Sequence, residues 1–103
     1  MKITNQQLET MRNAMRAVVE HLGGVEKVKA AFSDFTPRRM LWDIWHKAEV
    51  NLRYDDSHPF FVGGRWERMV PHNPSFATDL NYLKGCHIET ALAKIGREFG
   101  LLP

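Results

Sequence analysis

Apolar residues return every three or four positions along the first part of the chain: Leu8, Met11, Met15, Val18, Val19 and Leu22, with polar residues between them. At about 100° per residue that spacing lays one stripe along a helix. Thr4 followed by Gln7 fits a capping box at its start, and Gly23 suits the left-handed residue that closes it. The methionines in the stripe read as core packing in preference to an adaptable binding groove. A shorter helix follows in "GVEKVKAAFSDF". Val25, Val28 and Phe32 share one face, Lys27 and Lys29 lie away from it, and Ser33–Asp34 mark the turn.

The third helix is predicted in "FTPRRMLWDIWHKAEV". Thr36 is a good N-cap, and Pro37 stands at the first helical position, where its missing N–H costs nothing. Met40, Leu41, Ile44, Trp45, Ala48 and Leu52 fall in one arc, the core face. Trp42 lies just outside it. With His46, Glu49 and Arg53 it forms a second, narrower row along the helix. The helix is expected to end by Asp55–Asp56, because His58 precedes Pro59 and is biased away from helical geometry.

The period then changes. In "PFFVGGRWERMVP" two β-prone runs flank Gly63–Gly64, the signature of a two-residue hairpin turn. That turn sets Val62 opposite Arg65 and Phe61 opposite Trp66. So small a hairpin must lie on the helices to persist. Pro71 and Pro74 bracket a loop. Phe76, Leu80 and Leu83 predict a short helix, closed or kinked at Gly85. Ile88, Ala91, Leu92, Ile95 and Phe99 predict a final helix ended by Gly100. The expected fold is mainly α (α+β): a helical domain over residues 1–103 with one small β-hairpin around Gly63–Gly64.

Composition narrows this picture without changing it. The 103 residues are 44% hydrophobic and 25% charged, as folded domains are, and one domain is the natural reading of that length. Fourteen Lys and Arg stand against 12 Asp and Glu, and neither half of the chain is a basic block. The concentrated cationic face that tight non-specific nucleic-acid binding uses is missing from the composition. A single cysteine, Cys86, excludes an internal disulfide and is most simply a small buried hydrophobe; it points to a reducing, cytoplasmic compartment. The N-terminal segment has no continuous apolar run of the signal-peptide kind, and no apolar stretch has bilayer-spanning length, so no membrane partner is expected.

Candidate chemistry falls into three classes. A protein-binding face is the leading one: Trp42, His46 and Arg53 beside the core arc, joined by Arg65, Trp66 and Arg68 from the hairpin. Tryptophan and arginine are the residues that dominate interface hot spots. The second class is helix-turn-helix DNA binding. The second and third helices, joined by a short turn, carry Arg38 and Arg39 at the start of the later helix, where base edges and phosphates are met in such motifs. Cations at that end oppose the helix dipole, so these arginines call for an anion, whether a phosphate, Asp43 at i+4, or the nearby Asp34. The third class is enzymatic. "DDSHPFFVGGRW" with "DLNYLKGCH" resembles the ββα-metal nuclease pattern, which implies His58 as base, Asn81 as the orienting residue and His87 as a metal ligand. Against that pattern, Ser57 displaces the acidic residue expected before the His, the Gly-Gly turn follows early, and a paired zinc knuckle is lacking.

Other signatures are absent. The five histidines never recur at i+3 or i+4, and there is no P-loop or dinucleotide fingerprint. The chain as a whole, rich in Trp and Met and ending in "CHIETALAKIGREFG", resembles the small accessory proteins of phages and prophages. That resemblance implies a non-enzymatic role in controlling or blocking a host or phage complex, and carries no residue role with it. Taken with the residues above, the expectation is a cytoplasmic protein without cofactor or resident metal that engages a macromolecular partner, protein rather than DNA, and inhibits a host defence or transcription complex by occlusion. A homodimer is compatible with either binding class.

Overall fold

Thr4 begins the first helix as its sequence spacing requires. The Gln7 N–H donates to Thr4 Oγ1 (3.0 Å), and the Thr4 N–H donates to Gln7 Oε1 (2.9 Å), closing the capping box. The computed structural model describes residues 3–53, 60–62, 65–67 and 85–103. Helix α1 runs Asn5–His21 and buries Met11, Ala14, Met15, Val18 and Val19. It closes on Gly23 at φ 102°. The Gly24 N–H donates to the Val19 carbonyl (2.9 Å) and the Gly23 N–H to that of Glu20 (3.1 Å), the paired bonds of a Schellman ending.

Helix α2 is short, Val25–Ala31, and Val28 is its fully buried residue. Phe32 follows, also buried, and meets Phe35 edge to face at 5.6 Å between ring centroids. Helix α3 runs Pro37–Arg53. Its N-cap is as expected: the Arg39 N–H donates to Thr36 Oγ1 at 3.2 Å. Helix α4, Gly85–Phe99, ends at Gly100, where the Leu101 N–H donates to the Gly96 carbonyl (2.8 Å). Gly85 is therefore the first residue of α4. Glycine is tolerated at either end of a helix, and the turn that leads to the buried Ile88 starts there. The stretch Gly85 was expected to close, with Phe76, Leu80 and Leu83, lies outside the described residues, as does the Pro71–Pro74 loop.

Helix α3 is the central element. It packs chiefly on α1 and also meets α4. The arc Met40, Leu41, Ile44, Trp45, Ala48 and Leu52 is buried throughout. These side chains share one apolar cluster with Met11, Met15 and Val18 of α1, Val28 of α2, and Ile88, Leu92 and Ile95 of α4. Each large side chain so buried contributes about 1.5–3 kcal/mol. Gly96 lets α3 and α4 approach closely, since a Cβ there would lie 3.0 Å from Leu41 Cδ2 and 3.1 Å from Leu102 Cγ.

One part of α3 departs from the amphipathic pattern. Lys47 and Asn51 are fully buried, and Val50 is buried with them. The helix is thus enclosed nearly all round from Lys47 to Leu52, where the sequence pattern gives it one apolar face. Both polar residues make polar interactions, although Asn51 Oδ1 itself accepts no hydrogen bond among the described residues.

Two short strands complete the described elements. Strand β1 (Phe60–Val62) pairs antiparallel with β2 (Arg65–Glu67), with Phe61 opposite Trp66 and Val62 opposite Arg65. Strand β1 contacts α3. The residues between the strands, Gly63–Gly64, lie outside the described residues. Among the described residues, no helix is long and apolar enough to cross a membrane.

Candidate interaction site

The outer face of α3 is built by the same rotation that builds the core. Residues that miss the arc emerge as one stripe: Arg38, Arg39, Trp42, Asp43, His46 and Glu49. Arg38, Arg39 and His46 are exposed, and Trp42, Asp43 and Glu49 are half-buried. Trp42 packs against the apolar cluster and stays partly exposed. Its neighbour in sequence spacing, Trp45, is 2% exposed and belongs to the core. The two tryptophans of this helix therefore divide between interior and surface, as their helical angles require.

Trp42 forms a ridge between two concavities. The first, about 250 Å³, lies between α3 and α4 and has walls of Leu41, Trp42, Leu92, Ala93 and Leu102, with Arg38 and Glu89 at its edge. The second, about 460 Å³, runs along the other flank of Trp42 and is more polar, with Arg39, Asp43, His46 and Glu49 over Trp45 and Ile88. An aromatic ridge beside an apolar hollow, rimmed by charge, has the make-up of an interface core with its polar rim.

The arginines at the start of α3 find their anions within the chain. Arg39 Nε donates to Asp43 Oδ1 at 2.9 Å, the i, i+4 pairing open to it from sequence. Its guanidinium also lies 5.7 Å from the Phe35 ring centroid. Arg38 pairs with Glu89 of α4, a partner 51 positions away that local spacing does not show. Asp34, the other carboxylate near in sequence, is not their partner among the described contacts. Both pairs are open to water, Arg38 being 77% exposed, and such pairs contribute about 0–1 kcal/mol. They set a carboxylate against each guanidinium.

The remaining predicted site residues are positioned less fully. Arg53 is the last residue of α3, and Arg65 and Trp66 are on β2, but their side chains lie outside the described residues, as does the whole of Arg68. The helix α3 row and the hairpin are thus brought together only to the extent that β1 touches α3. Of the nuclease-pattern residues, His58 and Asn81 lie outside the described residues; His87 is the third residue of α4, its side chain likewise. Among the described residues, no three His, Cys, Asp or Glu side chains gather closely enough to hold a metal.

Leu92, Ala93, Leu102 and Glu89 were not anticipated as lining residues. Leu92 belongs to the α4 stripe, but Glu89 and Ala93 lie beside that stripe and Leu102 lies past the helix end, and which flank of α3 they meet is a tertiary fact. Compared with protein-family models, with curated proteins and with solved structures, the chain matches none of them.

Proposed function

We propose that this protein is a non-enzymatic binding module. It engages a macromolecular partner, a protein rather than DNA, through the outer face of α3 centred on Trp42, and acts by occluding a surface of that partner. The observation that carries the reading is the position of Trp42: a large aromatic side chain held half-buried as a ridge, with a mainly apolar hollow on one flank and a charged one on the other. Indole rings in such settings dominate binding free energy, because one rigid group displaces water from two adjacent hollows. Arg53, Arg65, Trp66 and Arg68 belong to the proposed binding set on the sequence reading alone.

The balance of charge on the face favours a protein over a nucleic acid. Arg38 and Arg39 are each matched by a carboxylate, and Glu49 adds a further acid to the stripe. A phosphate backbone would have to displace Glu89 and Asp43 to reach them. The two classes separate in one experiment. Affinity capture from lysate, with and without nuclease, compares the wild type with Arg38→Ala/Arg39→Ala. Protein docking predicts nuclease-resistant partners that the double variant still captures. DNA docking instead predicts loss in the double variant and a steep salt dependence, close to 0.9 in log–log slope for each phosphate contact.

A further inference from the structure

We infer that the protein partner places a basic side chain, arginine in preference to lysine, in the polar hollow beside Trp42, where its charge meets Glu49. The inference rests on the reading of that face as a protein-binding surface and names the chemistry of what it binds.

The charges that line this hollow of about 460 Å³ do not cancel. Arg39 and Asp43 pair with each other. Arg38 is held by Glu89 on the opposite flank of Trp42. The exposed His46 already interacts within the chain. Glu49 is half-buried in the same hollow, and among the described residues it enters no ion pair or hydrogen bond. Arg53 stands one turn beyond Glu49, its side chain outside the described residues. One carboxylate is thus left over among the described groups of the lining. Partly withdrawn from water, it attracts a cation more strongly than an open carboxylate does, and it repels phosphate and acidic segments.

The aromatic wall points the same way. This chain sets guanidinium groups against two other rings: Arg16 lies 5.4 Å from the centroid of Phe99, and Arg39 lies 5.7 Å from that of Phe35. Tryptophan attracts a cation more strongly than phenylalanine does. Yet among the described residues no cation lies over Trp42. Trp42 and Glu49 are seven positions apart, close to the same angle on α3 and about 10 Å along its axis. A guanidinium that enters between them turns its flat face to the indole and its N–H fork to the carboxylate. A lysine ammonium meets the carboxylate but has no planar face to stack.

Selection from a library of random short peptides on the full chain tests this. Wild type and Glu49→Gln are run in parallel, both shown to be folded by circular dichroism. The wild type is expected to enrich peptides that carry arginine, and less often lysine, near a large apolar residue that suits the hollow on the other flank of Trp42. Glu49→Gln should lose the preference for basic residues. For a selected peptide, fluorescence anisotropy should give a dissociation constant about tenfold higher with Glu49→Gln than with the wild type. Replacing the arginine of that peptide by glutamine should weaken wild-type binding and leave Glu49→Gln binding unchanged.

Selected peptides without basic residues overturn the inference. So does a basic preference that Glu49→Gln retains, or a library from which the wild type selects nothing. The reading of the face as a binding surface is judged apart from it, by Trp42→Ala: selected peptides of any composition that bind this variant as tightly as the wild type overturn that reading.

Discussion

Two lysines mark how far single positions can be read from sequence. Lys47 and Lys29 both sit in helices among apolar neighbours, yet Lys47 is fully buried and Lys29 is exposed. Lys47→Glu is expected to destabilise the fold by roughly 3 kcal/mol or more, since it reverses a buried charge and strands its partner. Lys29→Glu should stay within about 0.5 kcal/mol. Urea denaturation of the two variants makes the comparison, and equal stabilities would contradict the burial of Lys47. Gly96 offers a second residue-scale test. Gly96→Val should cost about 1–3 kcal/mol, because the added side chain meets Leu41 and Leu102 inside a closed interface. What was legible here was local: caps at Thr4 and Thr36, and the core arc of α3, follow from i+3 and i+4 chemistry. Burial of Lys47 and Asn51 was not, because it depends on what encloses the helix rather than on the helix itself.

At the scale of elements, α1 and α4 are tied by a charged clamp. Arg12 Nε donates to Glu98 Oε2 at 2.7 Å and its Nη2 to Oε1 at 3.2 Å, while Nη1 donates to Glu9 Oε2 at 2.6 Å. Arg16 lies 5.4 Å from the centroid of Phe99 on the same side. The hydrogen bonds from Arg12 hold the Glu98 carboxyl below its ordinary pKa, with the Arg12 charge adding to the effect. The sign follows directly. A carboxylate whose folded pKa is depressed stabilises the protein above its unfolded pKa, and that contribution is lost as pH falls through the folded value. Wild type should therefore melt above Glu98→Gln at neutral pH, with the gap closing on acidification. A gap that widens in acid would contradict the clamp. This pairing spans 86 positions and left no trace in sequence spacing, as was true of Arg38 with Glu89. The helices could be located from periodicity, but which charged faces meet is settled by how the apolar stripes pack.

Over the whole molecule, the mainly helical architecture was the most legible property, because apolar stripes of helical period leave few other ways to bury themselves. The face centred on Trp42 was legible in part. Helical rotation separated Trp42 from Trp45, but the hollow between α3 and α4 arises only when Leu92, Ala93 and Leu102 arrive from the far end of the chain. A core distributed over the four described helices also predicts that shaving the outer face of α3 leaves the fold intact. The account therefore turns on Trp42 as a binding group rather than a packing group. The most direct measurement is capture from nuclease-treated lysate with tagged wild type and tagged Trp42→Ala, both shown to be folded by circular dichroism. The account predicts partners held by the wild type and lost from Trp42→Ala, a loss of about 2 kcal/mol in affinity or more. Equal capture by a folded Trp42→Ala, or a Trp42→Ala chain that no longer folds, would contradict it.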